Sequence, residues 1–172
     1  MNTVKPIKLH RITTEYVGDE DRLRLSGEDA QGQTRVLWLT HRLVDRLIAH
    51  LTSTLESQVG ASPQADLMQV FSQQTARAEL VTQPAVRPDP EGGAALVHSV
   101  DVTVARSVTT LHFKTRNGAA VASLGLAPRP RRQWLSILHD LYEQAGWSTA
   151  AFPAWLLEAR HTTARPASTS IH

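Results

Sequence analysis

Residues 108–126 read VTTLHFKTRNGAAVASLGL, and the pairing of that stretch decides the fold. Asn117-Gly118 is a strong signal for a two-residue hairpin turn of type I′, in which both residues take positive φ. Folding about it sets Phe113 opposite Ala122, Leu111 opposite Leu124 and Thr115 opposite Ala120. The leucines and Phe113 then share one face. The other face carries His112 beside Ser123, Lys114 beside Val121 and Arg116 beside Ala119. Turn chemistry and period-2 patterning are independent signals, and their agreement specifies an antiparallel hairpin. Leu96, His98, Val100, Val102 and Val104 alternate ahead of it as a preceding strand.

The same order of signals occurs earlier in the chain. In residues 22–39, RLRLSGEDAQGQTRVLWL, a three-residue loop Ala30-Gln31-Gly32 with a left-handed glycine closes a second hairpin. That register pairs Leu23 with Leu39 and Leu25 with Leu37, and sets Arg24 beside Trp38 and Ser26 beside Val36. Residues 5–17 supply a strand before it, with a parity slip between Leu9 and Ile12 that a bulge near His10 would explain. Amphipathic helices follow both hairpins. Thr40 is the N-cap of the first, whose stripe is Leu43, Leu47, Ile48, Leu51 and Leu55, running to about Gln58. Trp134, Leu135, Leu138, Leu141 and Tyr142 form the stripe of the second, which ends before Gly146. A further central helix starts at Ser62-Pro63; its apolar positions Leu67, Val70, Phe71, Ala78 and Val81 are weaker, and it reads as a partly exposed arm.

Between the halves, residues 83–93 hold three prolines and two glycines, a composition no helix or central strand tolerates, and they read as a hinge-like linker. The expected architecture is therefore α+β: two similar βββα units with antiparallel sheets, a central helix and a mobile C-terminal tail. One pseudo-duplicated domain spans 1–160, with halves 1–82 and 94–160, and residues 161–172 form the tail. The duplication of sheet and helix resembles that of the Whirly-type single-stranded-DNA binders. The order of strands and helical hairpin is similar to the head domains of centriole-assembly scaffolds. Both likenesses concern element order alone and bring no site residue with them.

Composition narrows the classes. With 172 residues and 41% hydrophobic content the chain is long enough to bury a sizeable core. The absence of cysteine excludes disulfides, thiolate metal sites and cysteine nucleophiles. No apolar run approaches the length of a membrane span, and MNTVKPIK lacks the apolar stretch of a secretory leader, so a cytoplasmic location is expected. The pI of about 9.4 overstates the basic character, because net charge is only +2 and few groups titrate between pH 7 and 10. The excess sits in residues 126–172, with 5 basic against 3 acidic groups. Arginines number 15 against 3 lysines, a choice that suits bidentate recognition of carboxylate or phosphate.

Nothing local supports catalysis. The eight histidines have no metal-ligand spacing, and there is no nucleophile elbow, phosphate loop or dinucleotide fingerprint. Asp19-Glu20-Asp21 reads as a solvated turn. No catalytic residue, cofactor or metal is assigned. The sequence points instead to three contact surfaces. Arg129, Arg131 and Arg132 crowd the start of the last long helix, where cations are disfavoured, and Arg42 repeats the bias in weaker form; together they read as an anion or partner site. Arg24, Trp38, His112, Lys114 and Arg116 would form a basic sheet face able to stack single-stranded nucleic acid. Trp147, Phe152, Trp155, Leu156 and Leu157 read as a segment that docks into a partner. The leading expectation is a non-catalytic protein–protein interaction or assembly module, with a protein partner or by self-association. Its contacts would run through the helix surfaces, the weakly apolar central helix among them, and through the C-terminal aromatic segment. The alternative is a nucleic-acid-binding domain, single-stranded or non-specific. An enzyme of unrecognised type ranks third.

Overall fold

A computed structural model of the chain describes residues 5–163. The first half comprises β1 (Ile7–Leu9), β2 (Arg11–Val17), β3 (Arg22–Glu28), β4 (Thr34–Leu39) and α1 (His41–Val59). α2 (Ala65–Ala78) follows, and then β5 (Ala94–Leu96), β6 (Ser99–Ala105), β7 (Val108–Lys114), β8 (Ala120–Leu126), α3 (Pro128–Ala145) and α4 (Ala154–Thr163). The class is α+β, with two four-stranded sheets ordered β2-β3-β4-β5 and β1-β8-β7-β6.

Each half therefore has four strands, not the three read from the sequence, and the extra strand is exchanged. β1 pairs parallel with β8, Ile7 opposite Ala122 and Leu9 opposite Leu124. Reciprocally, β5 pairs parallel with β4, Val36 opposite Ala94 and Trp38 opposite Leu96. The parity slip near His10 is a change of sheet rather than a bulge: the chain leaves one sheet after Leu9 and enters the other at Arg11. His98 marks the same step in the second half. Both histidines donate their backbone N–H to equivalent strand ends, His10 to the Glu28 carbonyl at 2.7 Å and His98 to the Lys114 carbonyl at 2.8 Å.

The first hairpin has the expected register and turn. The second keeps Phe113 opposite Ala122, Leu111 opposite Leu124 and His112 opposite Ser123, but its turn is not type I′. Gly118 takes the left-handed conformation while Asn117 does not, so the loop is Arg116-Asn117-Gly118. The Asn117 side chain is the cause. Its Oδ1 accepts from Ala119 N at 3.0 Å and Thr115 Oγ1 at 2.6 Å, which holds the asparagine outside the turn geometry that I′ demands. Lys114 consequently faces Ala120 instead of Val121, the register shifts there, and Val121 is buried. Both hairpins now share one design, closed by Asp29 N to Gln33 O (2.9 Å) and by Thr115 N to Ala119 O (3.0 Å).

Thr40 caps α1, its Oγ1 accepting from Leu43 N at 3.3 Å, and left-handed Gly146 terminates α3. Leu23, Leu25, Leu37 and Leu39 from one sheet and Leu111, Phe113, Ala122 and Leu124 from the other join the stripes of α1 and α3 in one core. Each leucine so buried contributes roughly 1.5–3 kcal/mol. α2 begins later than the sequence indicates: Ser62-Pro63 form a preceding turn, with Ala65 N bonded to Ser62 O.

The linker is not a free hinge. It crosses the outer face of the first sheet as a strap, with Val86 N donating to Thr13 Oγ1 and Asp89 N to Thr34 Oγ1, both at 2.8 Å. Val86 is buried there, as is Ser26 of β3. A Cβ on Gly92 would lie 2.6 Å from the Thr34 carbonyl oxygen, so the strap needs glycine at that crossing. At the other end of the chain, residues 161–163 complete α4, and the rest of the tail read from the sequence, 164–172, lies outside the described residues.

Candidate functional site

The arginines at the start of α3 separate into two kinds. Arg129 is exposed and pairs with Glu79, Nη1 to Oε2 3.0 Å. Arg131 and Arg132 are interior, which removes them from any surface anion site. Arg131 has no exposed surface. Its guanidinium donates to Thr54 Oγ1 (2.9 Å), Ser107 O (2.8 Å) and Leu126 O (3.4 Å). Arg132 donates to Gln69 Oε1 and lies 5.5 Å from the Trp155 ring centroid. Burial lowers the pKa of both, and for Arg132 the added charge of Arg131 brings it to about 10. The local rule broken at this helix start is compensated by interior hydrogen bonds.

Trp147, Phe152, Trp155, Leu156 and Leu157 are likewise not a free docking segment. Phe152, Trp155 and Leu156 are core, while Trp147 and Leu157 pack against it. Trp155 Nε1 donates to Glu56 Oε1 (3.0 Å), and Trp147 stacks on His41 with ring centroids 4.3 Å apart. Residues of this size and polarity are more stable covered, and α4 provides the cover.

The sheet-face set is scattered. Arg24 pairs with Glu15 at 2.7 Å and sits 6.0 Å from the Trp38 centroid, on the first sheet. Lys114 pairs with Asp101, and His112 lies 3.4 Å from Thr103 Oγ1, both on the second sheet. The two sheets are not continuous, so these groups form no single platform, and two of the cations already have internal counter-ions.

Arg42 and Arg116, by contrast, are brought together. They line a cleft of about 850 Å³ between the start of α1, β5 and the β7–β8 turn, joined by Arg46 and His98 and floored by Leu96 and Val97. None of its lining residues is acidic. Among the described residues, Arg42, Arg46 and Arg116 have no ion-pair partner. The i, i+4 spacing of Arg42 and Arg46 is the sequence signal that could have found the pair.

A further surface lies on α2, the weakly apolar central helix. An ordinary surface helix buries its apolar stripe and exposes its polar one. α2 does the reverse: Gln69 and Gln73 are buried beside Val70 and Ala76, whereas Leu67, Met68 and Phe71 are 51%, 51% and 58% exposed. Its attachment is largely polar. Gln69 Nε2 donates to Leu55 O (3.1 Å), Gln73 Nε2 to Arg132 O and Ser136 Oγ (both 2.8 Å), and Gln133 Nε2 to Ala76 O (2.9 Å). The recognisable sign was two glutamines on the stripe of Val70.

Among the described residues one group of potential metal ligands occurs: His139, Asp140 and Glu143, with ligand atoms within 4.8 Å of one another. The Arg160 guanidinium contacts both carboxylates and supplies the local positive charge itself. No helix among the described residues is long and apolar enough to cross a membrane. No protein-family model, curated protein or solved structure matches the chain.

Proposed function

We propose that this protein is a non-catalytic protein–protein interaction or assembly module whose principal contact is the outer face of α2. The inversion of α2 carries the reading: Leu67, Met68 and Phe71 are spent on solvent while glutamines hold the helix in place. Half-exposed large side chains adjoining on one helix are the usual form of a helix-mediated protein contact. Covering them on a partner would recover on the order of 1 kcal/mol each. The polar attachment fixes their orientation without using them.

The test is a Leu67→Ser/Phe71→Ser variant of the full chain, compared with wild type by sedimentation velocity and by stoichiometric recovery from the source cells. The expected result is association of the wild type, with itself or with one stoichiometric protein, lost in the variant at an unchanged thermal midpoint. A wild type that stays monomeric and recovers no stoichiometric protein, or a variant that associates as well as wild type, would overturn it.

A further inference from the structure

The pseudo-duplication places two clefts at corresponding positions, one at each long helix. Arg42, Leu43, Arg46 and His98 line the first; Arg129, Pro130, Gln133 and His10 line the second, which encloses about 720 Å³. The equivalence is set by the backbone, since His10 and His98 make matching bonds to the ends of β3 and β7. In the second cleft the chain's own residues 79–84, leaving α2, form one wall. Glu79 in that wall is the carboxylate that meets Arg129, and the Pro84 carbonyl accepts from Arg11. Among the described residues no corresponding segment lines the first cleft. Its positive charge is also greater, because Arg46 stands where the second cleft has Gln133, and Arg116 is added from the turn.

From this internal comparison we propose that the cleft at α1 binds an extended acidic peptide segment of a protein partner, its carboxylates meeting Arg42, Arg46 and Arg116. The proposal rests on the interaction-module reading and adds to it a second site with defined ligand chemistry. The precedent is the chain's own 79–84 segment, a carboxylate followed by apolar residues in a wall beside a helix-start arginine. Leu96 and Val97 offer the apolar floor for such residues, and three planar guanidinium groups without internal partners suit bidentate contact with carboxylates. The chemistry would also admit phosphates, and nucleic acid is the competing source of them.

The probe is a fluorescent, capped peptide of residues 79–84 carrying Thr82→Glu and Gln83→Glu, titrated by anisotropy against the full chain. Binding is expected to weaken about tenfold or more in Arg42→Gln/Arg46→Gln and to weaken as salt rises. It should be unchanged in Arg129→Gln and in Leu67→Ser/Phe71→Ser. A peptide with every glutamate replaced by glutamine should not bind. No binding at low salt, equal binding to the Arg42→Gln/Arg46→Gln variant, or tighter binding of a single-stranded oligonucleotide that displaces the peptide would overturn the proposal. Because the α2 variant keeps this cleft intact, failure of the peptide and failure of the α2 surface are separate results.

Discussion

At the start of α1, Arg42 and Arg46 stand in solvent without an ion pair; at the start of α3, Arg131 and Arg132 are buried and Arg129 meets Glu79. The two helices occupy equivalent places after equivalent hairpins. Counted from their first residues, Arg42 matches Arg129, while Arg131 and Arg132 stand where α1 has Val44 and Asp45. The difference therefore comes from the side of the helix each arginine occupies and from what packs on it. α2 and α4 close over Arg132, which donates to Gln69 and lies against Trp155, while Arg131 is buried against Thr54 of α1, Ser107 and Leu126. Trp147 and Tyr142 cover His41 at the start of α1, but among the described residues nothing comparable covers Arg42 and Arg46, which are exposed. The same residue type near the start of equivalent helices is thus a packing element at inward-facing positions of one and exposed charge at outward-facing positions of the other. Charge counted along a sequence does not tell the two apart; the layers above the helix do.

The largest expected effect lies on the covered side. Trp155→Ala removes a core side chain, its bond to Glu56 and its contact with Arg132, and should cost roughly 3–5 kcal/mol in denaturant unfolding. Deleting residues 147–163 should abolish the fold, seen as loss of a cooperative thermal transition. Next, Arg131→Ala leaves the Ser107 and Leu126 carbonyls without their side-chain donor and opens a cavity, and should cost about 3 kcal/mol. Arg131→Met, which refills the volume, should cost less. The contrasting change on the open side, Arg42→Ala, should leave the unfolding midpoint unmoved. Equal losses from Arg42 and Arg131 would break the comparison.

A smaller effect is expected from pH. Burial, reinforced by Arg160, holds the His139 imidazole below its ordinary 6.5. Below that value the unfolded chain takes up a proton that the folded chain does not, so stability falls as pH drops from about 6.5 through the folded pKa, by at most about 1.4 kcal/mol per pH unit. The flanking Asp140 and Glu143 oppose the shift, which keeps the effect below that limit. His139→Gln should flatten the slope of thermal midpoint against pH between 5 and 7. The smallest change is Glu79→Gln: its pair with Arg129 is exposed on both sides, and surface pairs of that kind contribute about 0–1 kcal/mol.

Both hairpins, the Thr40 cap, the Gly146 stop and the helix stripes were legible in the sequence because each depends on residues within a few positions of one another. The strand exchange was not. β1 and β5 are three residues long, and their partners lie in the opposite half, so the only local trace was the parity slip at His10. Asn117-Gly118 misled for a local reason, since the asparagine side chain satisfied the turn in a way the dipeptide preference does not anticipate. Among the site residues, Arg42 and Arg116 were marked separately, and only the fold joins them. Arg131, Arg132 and the Phe152–Leu157 segment were read as surface because a helix start and a chain end are ordinarily exposed. α2 was read as weak for lacking a clean stripe, when its stripe is inverted.

The central claim is that the outer face of α2 is a protein contact, and site-specific photocrosslinking in the source cells tests it most directly. A benzoylphenylalanine replaces Phe71 in one variant and the exposed His50 of α1 in another. One adduct of defined mass from position 71, mapped to a single protein and absent from position 50, is the predicted result. No adduct at position 71, or the same set of adducts from both positions, would contradict it.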